Sequence, residues 1–154
     1  MQEHIIETIL KSKIDPYGES KEYLRKIIRR YRTGHIPLDD IGIPGGISKA
    51  LDKYDIINAH VRGAAYSNTY IGTNFGQGSK PKRIYIKSVS GKYPVTDVVC
   101  FEYGDQLPRE FLPDYEKMLN KSIREPISRI IEEALGWRWD DIDPSITKLG
   151  DFFT

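Results

Sequence analysis

The sequence is poor in the features that staple, anchor or metallate a chain. Cys100 is the only cysteine among 154 residues, so no internal disulfide can form, and no Cys/His cluster has the spacing of zinc ligands. No run approaches the ~20 apolar residues needed to span a bilayer. The opening stretch, Met1 to Lys13, is charged throughout and lacks the apolar core of a signal peptide. An intracellular, reducing setting is expected, with a cytoplasmic location and no membrane partner. Gly72, Gly76 and Gly78 are not followed by a Gly-Lys-Ser/Thr ending that opens a helix, which excludes a phosphate-cradling nucleotide loop. A hydrolase ranks last, because no nucleophile, base and acid converge in the pattern.

The chain does have enough apolar content, 39%, for a genuine core. Its net charge of +1 says little, but the distribution along the chain is uneven. Residues 1 to 48 carry 8 basic and 7 acidic side chains, residues 49 to 92 carry 8 and 2, and residues 93 to 154 carry 7 and 13. A basic middle beside an acidic end points to one face for a polyanion and another turned away from it. An ordinary solvated surface is the competing explanation.

Periodicity sets the expected elements. Ile5, Ile6, Ile9 and Leu10 recur at helical spacing before the Asp15-Pro16-Tyr17-Gly18 turn. A second helix, capped by Ser20, carries the stripe Tyr23, Leu24, Ile27, Ile28 and Tyr31, and Gly34 ends it. The two should pack as a hairpin, with Arg29, Arg30 and Arg32 compensating the dipole of the last turn. Residues 36 to 48, rich in Gly and Pro, predict a short extended segment and a flexible connection, not a helix. Asn58 to Tyr66 predicts a short helix running out near Asn68. Strands are expected at Lys82 to Val89 and Val95 to Glu102, paired as a hairpin. A long helical stripe from Tyr115 to Leu135 follows, ended by Gly136 and either kinked or split at Pro126. Trp137 and Trp139 read as closing a small core, with base stacking the less favoured role. The expected class is α+β, mainly helical with a small antiparallel hairpin.

The segment Ile47-Ser48-Lys49-Ala50-Leu51-Asp52-Lys53-Tyr54-Asp55, then Ala59-His60-Val61-Arg62-Gly63 and Tyr66-Ser67-Asn68, resembles the start of the thumb in archaeal and T-even phage family B DNA polymerases. Gly34 to Ile41 is similar to the link from the family's two thumb helices into that segment. The later order of strand hairpin, Leu107-Pro108, long helix with an internal Pro126, and aromatic end is similar too. The likeness implies a thumb domain over residues 1–142 and a tail over 143–154. The palm aspartates that hold two metal ions in that family have no counterpart. Tyr103-Gly104-Asp105-Gln106 lacks the second aspartate and stands in the wrong place. No catalytic or metal-binding residue is therefore assigned. Mg²⁺ is expected only in a palm-bearing partner, the large subunit of a split polymerase; an excised domain is equally compatible.

The resemblance implies a grip on primer-template duplex DNA of any sequence, through phosphates and sugars instead of base edges. Lys49, Lys53, Arg62, Lys80, Lys82 and Arg83 supply positive charge; Tyr54, His60, Tyr66 and Asn68 can donate hydrogen bonds to backbone oxygens. Structural alternatives stand beside several of these. His60 can cap or pack against its helix, Tyr66 can pack in the core, and the charges from Lys80 to Arg83 can guard a strand edge. Near the end, Ile146, Leu149, Phe152 and Phe153 resemble the peptide by which replication proteins bind a sliding clamp, with Ile146 where glutamine is usual. A free-standing double-stranded DNA-binding or clamp-adaptor protein is the alternative.

Overall fold

The computed structural model describes residues 19–143. Its helices are α1 (Glu19–Thr33), α2 (Leu38–Ile41), α3 (Ala59–Tyr70), α4 (Tyr115–Leu119), α5 (Glu125–Ile130) and α6 (Trp139–Ile142). The strands are β1 (Ile43–Pro44), β2 (Lys82–Val89), β3 (Val98–Phe101) and β4 (Phe111–Pro113). The α+β class is as the periodicity predicts. The chain divides into two compact units, residues 37–114 forming one and the segments up to Ile36 and from Tyr115 forming the other.

In the helical unit, α1 has no interior Gly or Pro, and its stripe of Leu24, Ile27, Ile28 and Tyr31 is buried. Ser20 lies within the described span of this helix. Gly34 stops it in a left-handed conformation, φ 71°, where a side chain would be strained. The stretch from Tyr115 to Leu135 remains helical past Pro126 by widening: residues Asn120–Arg124 form a π turn, and the Glu125 amide donates to Asn120 O, five residues back. The wider turn relieves the clash that a proline ring makes with the preceding turn, and Pro126 stands at the start of α5, where its missing N–H costs little. Gly136, φ 66°, then ends the helix, and the Trp137 amide reaches back to Ile131 O at 3.2 Å.

Two arginines of α1 hold the end of α6. Arg25 donates through Nε to Ile142 O at 3.2 Å and through Nη2 to Asp141 O at 3.0 Å, occupying carbonyls that a helix C-terminus leaves open. Arg32 grips the buried Asp143 carboxylate with both terminal nitrogens and also pairs with Glu116 at 2.9 Å. Trp139 is buried, and Lys21 Nζ lies 4.7 Å from the Trp137 ring centroid. The sequence expectations for residues 1–18, including the first helix and its hairpin with α1, lie outside the described residues.

The second unit is a small antiparallel sheet carrying a helix. β2 pairs with β1 and β3 through its first half and with β4 through its second, the register shifting between Ile86 and Ser88. β2 spans the residues that alternation predicts; β3 begins at Val98, three residues later than expected, leaving residues 90–97 as the connection. Helix α3 packs on β3. Gly63 makes this possible: a Cβ there would stand 3.1 Å from Cys100 Sγ and from the Val99 carbonyl carbon. Ser67, fully buried, donates to Cys100 O at 2.7 Å and accepts from Cys100 N at 2.9 Å. Its hydroxyl thus satisfies both backbone groups that Cys100 turns away from β2.

Residues 36 to 48 hold the expected short extended segment as β1, but Leu38–Ile41 forms one helical turn where no helix is expected, and the Gly/Pro stretch after β1 continues its pairing instead of forming a flexible connection.

Candidate nucleic-acid interface

The β1–β2 pairing continues beyond the formal strands. Ile43 stands opposite Arg83 and Pro44 opposite Lys82, and the same register carries on: Gly45 N donates to Pro81 O at 3.1 Å and Ile47 N to Ser79 O at 2.8 Å. Gly46 therefore faces Lys80, between two hydrogen-bonded pairs, where cross-strand side chains approach most closely. Side chains alternate along such a ladder. One face carries Pro44, Gly46, Ser48 and Lys80, all exposed, with Lys82 partly exposed at its inner end, and exposed Gly78, φ 88°, ends the ladder by donating to Ile47 O at 2.8 Å. A Cβ at Gly46 or Gly78 would meet nothing within 4 Å, so this is open, low-relief backbone edged with lysine.

The 48–54 turn continues from the end of this ribbon, with Leu51 and Tyr54 packed against the internal Ile47, Ala64 and Cys100 cluster. The Ser48 amide donates to the Tyr54 hydroxyl at 2.9 Å, and the Ser48 hydroxyl lies 3.2 Å from it. These contacts, the side-chain one first, lower the phenol below its ordinary pKa. Lys49 Nζ sits 5.0 Å from the Tyr54 ring centroid, and Lys53 is exposed at the end of the 3₁₀ turn Leu51–Lys53. Of the expected site residues, the fold thus places Lys80 and Lys82 on the ribbon and Lys49, Lys53 and Tyr54 in the turn that follows it. Lys82 is partly answered by Asp39, 3.6 Å away.

The opposite face of the ladder is internal, and there the structure gives His60 and Arg83 other surroundings. Pro81 has no N–H to return to Gly45 O, and His60 Nε2 fills that place at 2.7 Å. His60 is 8% exposed, its Nδ1 is buried without a partner, and a Cβ on Gly45 would come within 2.8 Å of its ring. Burial pushes the imidazole pKa down, the Gly45 contact opposes this, and nearby Arg83 adds to the lowering. The ring is therefore a neutral Nε2–H donor, since a second N–H on Nδ1 would have nothing to meet. Cys100 lies against this layer; desolvation drives its thiol up to about 12, with Arg83 opposing, so it is an inert core residue. Arg83 Nε is likewise buried without a hydrogen-bond partner.

The remaining expected contacts have protein partners. Arg62 grips Asp97 through two terminal contacts of 2.8 and 2.9 Å, so its charge is answered within the unit. The Tyr66 hydroxyl donates to Pro94 O at 2.6 Å, while its ring lies 4.7 Å from Tyr70 and 5.9 Å from Phe111. Desolvation first, then the Tyr70 and Tyr93 phenols, raises the Tyr66 pKa. Asn68 fastens the following loop, donating to Phe75 O and accepting from Phe75 N, each at 2.8 Å, and from the Thr73 hydroxyl. Ile146, Leu149, Phe152 and Phe153 lie outside the described residues. Gly46 and Gly78 were not among the expected site residues, although their alternation with Ser48 and Lys80 was the available signal.

Among the described residues no helix is long and apolar enough to cross a membrane, and no three His, Cys, Asp or Glu side chains are grouped to hold a metal ion. No protein-family model and no curated protein matches the sequence. Among solved structures, the chain is similar to the family B DNA polymerase from the hyperthermophilic archaeon Pyrobaculum calidifontis. The TM-score is 0.60 at 24% sequence identity, over 86% of this chain and 17% of that one. The chain thus spans about a sixth of that polymerase's length. Its fold is that of a segment of a family B DNA polymerase.

Proposed function

We propose that this chain is the noncatalytic thumb part of a family B type DNA polymerase, holding primer-template duplex by its backbone. The observation that carries the reading is the open ladder face, with Lys80 and Lys82 along one limb and Lys49 and Lys53 at its end. Glycine and serine at the facing positions let a phosphate rail approach the backbone closely, and lysine ammonium groups answer phosphates without reading bases. A grip of that kind permits sliding. Tyr54, beside Lys49, adds a phenol that can donate to a phosphate or sugar oxygen. His60, Arg83 and Asn68 support the ribbon and its loops from beneath.

A larger subunit would carry the palm and exonuclease, and its aspartates would hold the Mg²⁺ that phosphoryl transfer uses. The segment Ile146, Leu149, Phe152 and Phe153 would tether the assembly to the sliding clamp. Deleting residues 146–154 should then abolish clamp-stimulated synthesis by the reconstituted pair and leave basal synthesis intact.

The direct test is duplex binding by fluorescence anisotropy on two unrelated sequences across a salt series. Four lysines on phosphates give a log–log slope of about −3 to −4. Reversing Lys49, Lys53 and Lys80 to Glu should weaken both duplexes equally. Undiminished binding by that variant would overturn the assignment.

A further inference from the structure

A cavity of about 350 Å³ opens beside Lys80, between the 72–81 loop and the turn at residues 102–106. That volume falls in the range of small-molecule sites and suits a single nucleotide better than a duplex. Phe75 forms part of its wall, and this residue is fixed twice over. Its peptide N–H and carbonyl are both held by Asn68, and its ring packs on the Ile47, Ala64 and Cys100 cluster.

The polar lining is unusual in what it leaves uncommitted. Gln106 Oε1 accepts from the Glu102 amide at 2.7 Å and the Tyr103 amide at 3.1 Å. Those two donors fix which end of the side-chain amide is oxygen, so Nε2 is a pre-oriented donor with no protein acceptor among the described residues. Glu102 contributes an exposed carboxylate that forms no ion pair among the described residues, and Lys80 contributes an ammonium group in the same position. A glutamine, a glutamate and a lysine therefore line one cavity, with Phe75 in its wall.

From this lining we infer a binding site for one guanine nucleotide: Glu102 accepts from the base N1–H and N2–H, Gln106 Nε2 donates to O6, and Lys80 meets the phosphate. Guanine is the base that sets two adjacent donors beside an acceptor on one edge, and a carboxylate has two oxygens for the two donors. Adenine and cytosine each offer one donor beside one acceptor and engage two of the three bonds. Thymine sets its one donor, N3–H, beside the O4 acceptor and likewise engages two. The inference does not rest on the duplex-binding reading, since the cavity and its lining stand whether or not the ladder face meets DNA. The same chemistry fits a free nucleotide and an unpaired guanine in a strand.

Calorimetric titration of the full chain with dGMP, dAMP, dCMP, TMP and inorganic phosphate separates these. The extra charge-assisted bond predicts dGMP binding about tenfold tighter than dAMP, dCMP or TMP. Deoxyinosine monophosphate, which lacks the N2 amino group, should fall to the level of the other two-bond nucleotides. Glu102→Gln should remove most of the guanine preference, weakening dGMP, which makes two bonds to the carboxylate, more than dAMP, which makes one. Gln106→Glu keeps an oxygen for the two backbone donors, so the turn survives, but sets that carboxylate against O6 and should also abolish the preference. A thymidine oligomer with one central guanine tests the second source. Discrimination confined to that oligomer assigns the site to an unpaired base, and discrimination with dGMP assigns it to the free nucleotide as well. Equal binding of all four mononucleotides, or binding no tighter than inorganic phosphate, together with no guanine preference in the oligomer, would overturn the inference. Lys49→Glu with Lys53→Glu should leave dGMP binding unchanged, so failure of the duplex grip and failure of this site are distinguishable.

Discussion

Replacing Gly46 with glutamate isolates the ladder face from every other positive charge on the chain. A side chain at this position meets nothing within 4 Å and the backbone is not left-handed, so neither sterics nor strain opposes it. Alanine there should be neutral or stabilise by about 0.4–1 kcal/mol through the unfolded state. Glutamate stands opposite Lys80 in a closely spaced cross-strand pair and would neutralise that lysine. If four lysines meet phosphates, affinity falls roughly 150-fold between 50 and 200 mM salt; with Lys80 answered, three remain and the fall is roughly 40-fold. Near physiological salt the direct loss is about tenfold, or about 1.4 kcal/mol, the same on any duplex sequence. Anisotropy titrations of wild type, Gly46→Ala and Gly46→Glu at four salt concentrations would read both quantities. A glutamate variant with the wild-type slope and affinity would show that DNA does not lie on this face.

The remaining expectations concern the scaffold beneath it. Ser67→Ala leaves both Cys100 backbone groups unpaired in the interior, and at about 1–3 kcal/mol per orphaned group it should cost about 3 kcal/mol in urea denaturation. Thr69→Ala, which removes an exposed hydroxyl bonded to Ala65 O at 3.0 Å, should stay within about 0.5 kcal/mol; equal effects would discredit the bridging role of Ser67. Gly63→Ala gains up to about 1 kcal/mol of helix propensity but drives a methyl against the β3 backbone, so a net loss of about 1–3 kcal/mol is expected, and net stabilisation would refute the close packing. For His60 the folded-state pKa lies below the unfolded value of about 6.5, so the unfolded chain takes up the proton first. Its contribution to stability is complete above that pH and is lost as pH falls toward the folded-state value. His60→Gln, which keeps an N–H for Gly45 O, should flatten that part of the stability profile between pH 7.5 and 5.5; parallel profiles would contradict the buried neutral ring.

Periodicity made the long elements legible. β2 carries Ile84 and Ile86 on alternate positions around Tyr85, α1 and the run from Tyr115 carry broad apolar stripes, and Gly34 and Gly136 end them in left-handed turns. The ladder from Ile43 to Ile47 was not legible, because glycine and proline signal local freedom while the pairing is imposed by residues 79–83, more than thirty positions away. β4 has three residues, too few for any period, and exists by its pairing with Ile86 to Val89. At the candidate site, side-chain chemistry pointed to Lys49, Lys53, Lys80 and Lys82, but it could not separate them from Arg62, whose charge Asp97 cancels from 35 positions away. His60 and Asn68 have the hydrogen-bonding capacity expected of a ligand contact, and the fold applies it to Gly45 and Phe75.

The contact between His60 and Gly45 binds two distant positions into one thermodynamic unit. Proline at 81 withholds an amide proton from an interior carbonyl, and the imidazole supplies it. Restoring an ordinary residue at 81 would make the histidine redundant, whereas losing the histidine first would strand that carbonyl. Mutational paths away from this sequence therefore have a preferred order, proline before histidine, and the two substitutions should be non-additive when measured together.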